Sequence, residues 1–467
     1  MIDYSHEWGC TAPSRQERIV LSHPFDGRLS NGWGTRVALP SFIKPMTDEA
    51  SPISMSPVNS NATAFSWRGA TDAQRRVVVA AALGWMLDAF DVMLYSIVLA
   101  TLMRAFSMSR TTAGLLNALT LIASALGGLL FGVLADRLGR RRMLSASILV
   151  YSIFTFACGF STSIAMLAVC RFLLGLGMGG EWNTGAALVA ESWPSALRGR
   201  ALGIVQSSWA VGYAISAVVA GLILAHASWR WVFFAGILPA GVVFWIQSHV
   251  PEPPLWERVH GAPATGGARS VQRGSVKALV LLTATNTFGM FGWWGLFTWI
   301  PAYLVLPAAQ GGRGFAALSL TGFLVMVNLL GMLPGYLLFG VFADRFGRKR
   351  TFVVYLALAA GAVPLLAGAR QPGWILVFAC VAAFFGTGFF TGSGIIGSEI
   401  FPTESRATAL GISYNVARGL SALAPVTIGA LSERHGLAWA FGASAVAFGV
   451  AACMALMLPE TRGVELA

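Results

Sequence analysis

Residues 132–142 read GVLADRLGRRR, and residues 340–350 read GVFADRFGRKR. The two stretches lie 208 residues apart, and two further pairs of segments share this offset. ESWPSALRGRALGI at 191–204 recurs as EIFPTESRATALGI at 399–412, and the pair Pro-Glu at 251–252 recurs at 459–460. Three ungapped matches at one offset indicate that the chain contains two homologous halves in the same order.

The composition places these halves in a membrane. Of the 467 residues, 56% are hydrophobic and only 11% are charged, and the mean hydropathy is +0.67. A soluble domain carries roughly 25% charged residues, so most of this surface is expected to face lipid. The 53 glycines agree, because small residues allow membrane helices to approach closely.

Twelve apolar runs of about 18–28 residues follow one another, each long enough to cross a bilayer of about 30 Å. We therefore predict an all-α membrane protein in which twelve transmembrane helices form two six-helix repeats. The runs lie at 77–103, 111–135, 143–160, 164–189, 201–225, 230–250, 277–305, 316–342, 351–369, 373–398, 407–431 and 437–458.

The remaining segments complete the predicted domain organisation. Residues 1–74 are polar and aperiodic, and we expect them to be disordered or to precede the true start of translation, at Met46 or Met55. The first half then covers 75–250 and the second 276–458, joined by a basic, proline- and glycine-rich linker at 251–275. Residues 459–467 form a short tail.

The net charge of +12 is distributed as the topology of a membrane protein requires. From residue 75 onward, eighteen basic residues lie in every second interhelical segment or terminus, and six lie in the alternate segments. By the positive-inside rule, this bias predicts that both termini are cytoplasmic. It also argues against nucleic-acid binding. The cysteines lack metal-ligand spacing, and we expect no metal and no cofactor.

The doubled G-x-L/F-A-D-R-x-G-R-[RK]-R stretch resembles the signature of the major facilitator superfamily, and the resemblance covers about 76–463. Within that superfamily, the chain is similar to the sugar-porter-like branch and to the branches of organic-acid:proton symporters, which include lactate/sialate and aromatic-acid carriers. The resemblance implies a gating role for the charged loops. The residues concerned are Gly132, Asp136, Arg137, Gly139, Arg140, Glu191 and Arg198 in the first half, and Gly340, Asp344, Arg345, Gly347, Arg348, Glu399 and Arg406 in the second.

Charges inside the predicted helices, unlike the loops, are not repeated. At the 208 offset Asp88 corresponds to Leu296, Asp91 to Trp299, Arg171 to Ala379, Glu181 to Phe389, and Arg418 to Ala210. A charge in a membrane helix costs about 2.5–3.5 kcal/mol on insertion scales, and the scaffold of the other half does without it. These five residues are therefore the best candidates for function.

Asp88 lies 12 residues after Arg76, and Arg418 lies 12 residues after Arg406. At a rise of 1.5 Å per residue, each is about 18 Å from the membrane edge that carries the basic loops. Glu181, 10 residues before Glu191, is about 15 Å from that edge. We predict that Asp88, Asp91 and Glu181 carry protons, with Arg171 as the partner of Asp88 or Asp91. Arg418, in YNVARG at 414–419, would bind a substrate carboxylate through its guanidinium fork. Tyr95, Gln206, Asn286, Trp293 and Asn415 are further candidates for substrate binding.

These residues predict a proton-coupled symporter of a small organic anion, either a monocarboxylate or an aromatic carboxylate, working by alternating access. The expected location is the bacterial inner membrane, and the expected partners are the substrate, protons and the bilayer, with the protein as a monomer. A proton-coupled sugar or polyol symporter is the alternative, and a drug or metabolite exporter is less favoured. No catalytic triad, HExxH motif or phosphate loop is present, so we do not expect an enzyme.

Overall fold

A computed structural model describes residues 69–193, 195–252, 273–401 and 406–462. The predicted N-terminal extension lies outside the described residues except for its last six. Most of the predicted linker and the end of the tail also lie outside them. The described part is helical, and its first helix begins at Asp72.

Twelve helical spans, named α1 to α12 in chain order, confirm the predicted fold. The uninterrupted spans are α1 Asp72–Ala105, α2 Arg110–Leu138, α3 Arg140–Cys158, α4 Ile164–Ser192, α5 Ser195–His226, α7 Arg273–Val305, α9 Arg348–Gly368, α10 Pro372–Ile400 and α12 Leu437–Leu456. The interrupted spans are α6 (Trp229–Phe234 and Ala240–His249), α8 (Ala317–Met326 and Leu333–Phe346) and α11 (Arg406–Ser421 and Leu423–His435). Within the described ranges, nine helices are long and apolar enough to cross a membrane.

Proline explains two of the interruptions. Proline has no backbone N–H, so it cannot bond to the carbonyl four residues before it. In α6, Pro239 would have used the carbonyl of Ala235, and the chain there forms a short 3₁₀ turn over Ala235–Ile237. In α11, Pro425 would have used the carbonyl of Ser421, which is where the first segment ends. In α8, a π-helical turn over Val327–Met332 joins the two segments.

Polar side chains cap the helices where the apolar runs begin. Thr71 forms a capping box with Gln74 at the start of α1. Ser109 and Ser163 accept hydrogen bonds from backbone N–H groups in the first turns of α2 and α4, at 3.1 and 3.2 Å. Each cap satisfies a donor that the helix leaves unpaired, which stabilises the helix by about 1 kcal/mol.

The doubled loop makes a tight turn between two helices in each half. Gly139 separates α2 from α3 at φ +105°, and Gly347 separates α8 from α9 at φ +104°. In this region of φ a side chain is strained, so glycine is needed. A glutamate from the end of each half then fills the space beside the turn. Glu252 accepts a hydrogen bond from the backbone N–H of Arg141 (3.1 Å), and Glu460 accepts one from that of Arg348 (2.8 Å).

The bundle has two distinct ends, which we call the basic end, where these turns lie, and the far end. At the far end, hydrogen bonds join the two halves. Arg110 donates to the carbonyl of Ser432 (2.8 Å), and the backbone N–H of Thr111 donates to Glu433 (2.8 Å). Toward the basic end, four glycines have open space where a Cβ would stand, namely Gly132, Gly203, Gly340 and Gly411 from α2, α5, α8 and α11. Gly314, Gly368, Gly373 and Gly436 at the far end have open space as well. The hydrogen bonds of Arg110 and Thr111 between the halves therefore mark the far end as closed.

We expect glycine substitutions on α11 to affect the stability of the protein differently at these two ends. A Cβ at Gly429 would lie 2.5 Å from the carbonyl oxygen of Arg110, whereas a Cβ at Gly411 meets nothing. Gly429→Leu should therefore destabilise the protein by about 1–3 kcal/mol, and Gly411→Leu should leave its unfolding temperature close to wild type. Thermal unfolding of the purified variants measures this difference, and equal losses in both would contradict the assignment of the ends.

Candidate functional site

Three of the predicted charged residues meet at the centre of the bundle. Asp88 on α1, Glu181 on α4 and Arg418 on α11 are each at most 2% exposed. Arg418 acts electrostatically on both Asp88 and Glu181, although no ion pair of 4.0 Å or less joins them in the described part of the chain. Gly84 allows the carboxylate of Glu181 to lie against α1, because a Cβ at Gly84 would lie 2.5 Å from Oε1 of Glu181.

The central charges are only partly satisfied. Oδ2 of Asp88, Oε2 of Glu181, and Nε and Nη2 of Arg418 are all buried without a hydrogen-bond partner among the described residues. A buried group left unsatisfied costs about 1–3 kcal/mol, and more when it is charged. Such groups at a functional site indicate that a ligand, a proton or water completes the site.

Asp91 lies apart from this centre. Its Oδ2 accepts a hydrogen bond from the hydroxyl of Thr155 on α3 (3.0 Å). Its Oδ1 lies 3.2 Å from where a Cβ of Gly236 would stand, in the short turn that interrupts α6. Asp91 is still close enough to Asp88 for their charges to repel. The two aspartates, three residues apart on α1, therefore have different surroundings.

The structure does not form the expected pair between Arg171 and an aspartate. The guanidinium of Arg171 lies 4.0 Å from the ring centre of Tyr95, and Nη2 donates to Oδ1 of Asn117 (3.0 Å). Tyr95 is one turn beyond Asp91 on α1, so Arg171 is displaced from Asp91 by about 5.4 Å along the helix. The expectation of a direct contact is wrong for this conformation, because Arg171 lies closer to the far end.

Aromatic rings surround the central charges. Trp85 contacts Trp182 and Trp209, with ring centres 4.6 and 4.7 Å apart. Trp209 continues to Trp293 at 6.0 Å, and Trp182 lies 5.9 Å from Tyr414. The indole N–H groups of Trp85, Trp209 and Trp293 have no acceptor among the described residues. Flat apolar faces, free donors and a cation therefore lie together.

The sequence profile of the Major Facilitator Superfamily matches residues 81–308 and 304–466 of this chain. The chain belongs to the Major Facilitator Superfamily. It is an integral membrane transporter of small molecules, as the signature loops predicted.

Comparison with three known members shows what this chain is similar to within the superfamily. The chain is 33% identical to a protein named "probable 4-methylmuconolactone transporter" of Cupriavidus pinatubonensis, over 86% of this chain and 94% of that protein. It is 32% identical to the cis,cis-muconate transport protein of Acinetobacter baylyi, over 75% and 86%. The solved structure of the proton:xylose symporter XylE, bound to 6-bromo-6-deoxy-D-glucose, superposes with a TM-score of 0.69 at 19% identity, over 84% of this chain and 98% of that one. The likeness to XylE shows the fold alone.

The signature loops of the superfamily form ion pairs within each half. Arg140 bonds to Glu191 at 2.9 Å and also to Asp136. In the second half Arg348 bonds to Glu399 at 3.2 Å and to Asp344 at 2.6 Å. Asp136 and Asp344 thus each contact an arginine at the start of the next helix, while the role of the loops in gating stays a prediction.

The other predicted loop residues have varied positions. Arg137 is exposed, and the guanidinium of Arg345 lies 5.6 Å from the ring centre of Phe346. Arg406 donates to the carbonyl of Phe401 at 3.1 Å. The side chain of Arg198 lies outside the described residues.

Among the predicted substrate-binding residues, some are already engaged in packing. The hydroxyl of Tyr95 donates to the carbonyl of Ala113 (2.8 Å). Asn286 donates to Ser413 (3.0 Å), and Asn415 donates to the carbonyl of Gly411 (2.8 Å). Oε1 of Gln206, Oδ1 of Asn286 and the indole nitrogen of Trp293 are buried without a partner in the described part of the chain. These three residues remain the stronger candidates of this group.

Sequence reasoning missed four residues of the central region, namely Trp85, Trp182, Trp209 and Asn117. Two features of the sequence could have indicated three of them, namely aromatic residues shared by the two halves and a polar residue present in only one half. Trp85 and Trp293 are equivalent at the 208 offset, as are Trp182 and Phe390, but a search for differences between the halves discards shared features. Asn117 corresponds to Val325, so the search for unrepeated polar residues would have found it.

Asn117 connects Arg171 to the opposite half, since its Nδ2 donates to Thr298 on α7 (2.9 Å). We expect Asn117→Leu to lower the free energy of unfolding by about 1–3 kcal/mol, because two buried partners lose a hydrogen bond. Asn183→Leu is the matched control: Asn183 donates only to the carbonyl of Gly128, within one half and at 2.8 Å. Thermal unfolding should show a clearly larger loss for Asn117→Leu, and comparable losses would refute a special role for this bond.

Proposed function

We propose that this chain is a proton-coupled symporter of a small organic anion, in which Arg418 holds the substrate carboxylate. The observation that carries the proposal is the buried guanidinium of Arg418, whose Nε and Nη2 have no partner among the described residues, beside aromatic rings at the centre of the bundle. A guanidinium presents donors in a fixed fork that matches a carboxylate. The relatives named for muconolactone and muconate transport support an acid as the substrate.

Proton and substrate are coupled because the acids Asp88 and Glu181 compete with the substrate anion for the guanidinium of Arg418. While Asp88 and Glu181 are ionised, they neutralise Arg418 and repel an incoming anion. Protonation of these acids removes both effects, so the substrate anion binds best to the protonated transporter. Proton and anion therefore enter together, and release of one weakens the binding of the other. This linkage is reciprocal, as any coupling between two binding sites must be.

The aromatic surroundings favour a flat or conjugated acid. Rings of Trp85, Trp182 and Trp209 offer faces for stacking. The indole donors of Trp85 and Trp209, which have no acceptor in the described part of the chain, suit a second acceptor group on the substrate. A neutral sugar would accept from the indoles but would leave Arg418 without an anion. We therefore favour a conjugated or aromatic carboxylate over a sugar or polyol.

In this proposal, alternating access opens the basic end and the far end of the bundle in turn. We place the basic end in the cytoplasm of a bacterial inner membrane, on the basis of the eighteen-to-six distribution of positive charge. The conformation described then opens inward. Closure of the basic end would bring the helices together at Gly132, Gly203, Gly340 and Gly411, while the Arg110 and Glu433 contacts separate. We propose that the protein works as a monomer and catalyses no covalent reaction.

The role of Arg418 predicts the substrate class. Arg418→Gln should weaken the binding of benzoate and cis,cis-muconate at least about thirtyfold, because a buried charge pair loses one partner. Arg434→Gln changes an exposed arginine on the same span and should bind these acids like wild type. Calorimetric titration with both acids and with xylose measures this. Undiminished acid binding by Arg418→Gln, or tight binding of xylose alone, would favour the sugar alternative.

Because Asp88 carries the proton in this proposal, its substitution should abolish accumulation of the substrate but leave exchange of the substrate intact. Asp88→Asn in proteoliposomes should retain substrate counterflow, since Arg418 is present, but should lose accumulation driven by an inward proton gradient. Asp72→Asn, an exposed aspartate at the start of the same helix, serves as the control. Gradient-driven accumulation at the wild-type level in Asp88→Asn would remove Asp88 from the proton pathway.

A further inference from the structure

A groove with a cavity of about 530 Å³ lies on the outer surface of the second half, toward the basic end. It is bounded by the second segment of α8, the beginning of α9 and the middle of α10. Five aromatic residues line it: Phe342, Phe346, Tyr355, Phe384 and Phe385. The rim is open to the surface that faces lipid, because Phe346 and Val354 are 56% and 50% exposed.

The floor of the groove is rigid and apolar. The ring of Tyr355 lies 5.6 Å from that of Phe384 and 5.1 Å from that of Phe385, and the two phenylalanines are 4.9 Å apart. Rings held against one another lose little freedom when a ligand settles on them. An alkyl chain is the ligand that such a surface accepts best in a bilayer.

A cation lies at the end of the groove nearest the basic end. Arg350 is exposed there and forms no ion pair within the described ranges. Thr351 and Tyr355 contribute carbon atoms to the wall, and the exposed lining is apolar. One cation thus adjoins one apolar channel.

Comparison with the first half shows that the fold does not require this groove. At the 208 offset the five aromatic residues are replaced by Leu134, Leu138, Ser147, Leu176 and Gly177. Gly177 permits close contact between α3 and α4, because a Cβ there would lie 2.6 Å from the backbone nitrogen of Tyr151. Phe385 occupies the equivalent position in the second half. The basic residue is retained as Arg142, but the groove beside it is not.

We propose that this groove is a binding site for a bilayer phospholipid with an anionic head group. One acyl chain lies along the aromatic floor, and the phosphate pairs with Arg350. The anionic class follows from charge complementarity, since Arg350 forms no ion pair with an acid among the described residues. The site is separate from the central residues Asp88, Glu181 and Arg418.

Native mass spectrometry of the delipidated full-length protein tests this site with phosphatidylglycerol and phosphatidylethanolamine. Arg350→Gln should weaken the binding of phosphatidylglycerol about fivefold, whereas Arg142→Gln, its equivalent in the half without a groove, should not. Val354→Trp should fill the groove and abolish the specific binding. Val133→Trp, at an equally exposed position of the first half, should leave it intact.

Four results would overturn the proposal. Equal losses in Arg350→Gln and Arg142→Gln would mean that the basic end attracts lipid without a site. Equal affinity for both lipids would mean that no head group is recognised. Competition by soluble glycerol phosphate as strong as by the lipid would identify a free-phosphate site, and a dimer lost in Val354→Trp would identify the groove as an interface between copies.

Discussion

The arrangement around Arg418 constrains the rest of this protein. A guanidinium cannot lose its charge under physiological conditions, and its transfer away from water is expensive. The bundle therefore has to supply negative charge nearby, which it does with Asp88 on α1 and Glu181 on α4. Neither acid forms a tight ion pair with Arg418 within the described ranges, so a substrate anion has room to replace them. An arginine fully satisfied by protein carboxylates would be a structural element and not a binding site.

Symmetry and asymmetry have separate tasks in this molecule. The two halves share their turns at Gly139 and Gly347, their arginine–glutamate pairs, and the glutamates that pack beside those turns. They also share an aromatic contact, which Trp85 forms with Trp182 in the first half and the equivalent Trp293 forms with Phe390 in the second. The charges at the centre belong to one half or the other. In our proposal, the repeated features build the scaffold that moves between two states, and the unrepeated charges select the substrate.

The connection across the far end illustrates how a site is joined to a conformation. Arg171, Asn117 and Thr298 form a chain of contacts from α4 through α2 to α7 of the opposite half. The same arginine lies one helical turn from Asp91, whose carboxylate keeps one oxygen without a partner in the described structure. A change in the packing of the halves would therefore change the contacts of Arg171 with Asn117 and of Asn117 with Thr298.

The sequence alone determined the fold, because twelve apolar runs and three matches at one offset depend only on local composition and on duplication. It also determined which charges lie in the membrane, since a cost of insertion attaches to each residue regardless of its neighbours. It did not determine which charges meet. Asp88 and Asp91 look equivalent in a helix of unknown orientation, and only the packing of α3, α4 and α11 places one beside Arg418 and the other beside Thr155. The partners of Arg171 and the aromatic enclosure likewise depend on contacts between helices distant in sequence, and those contacts exist only in the tertiary structure.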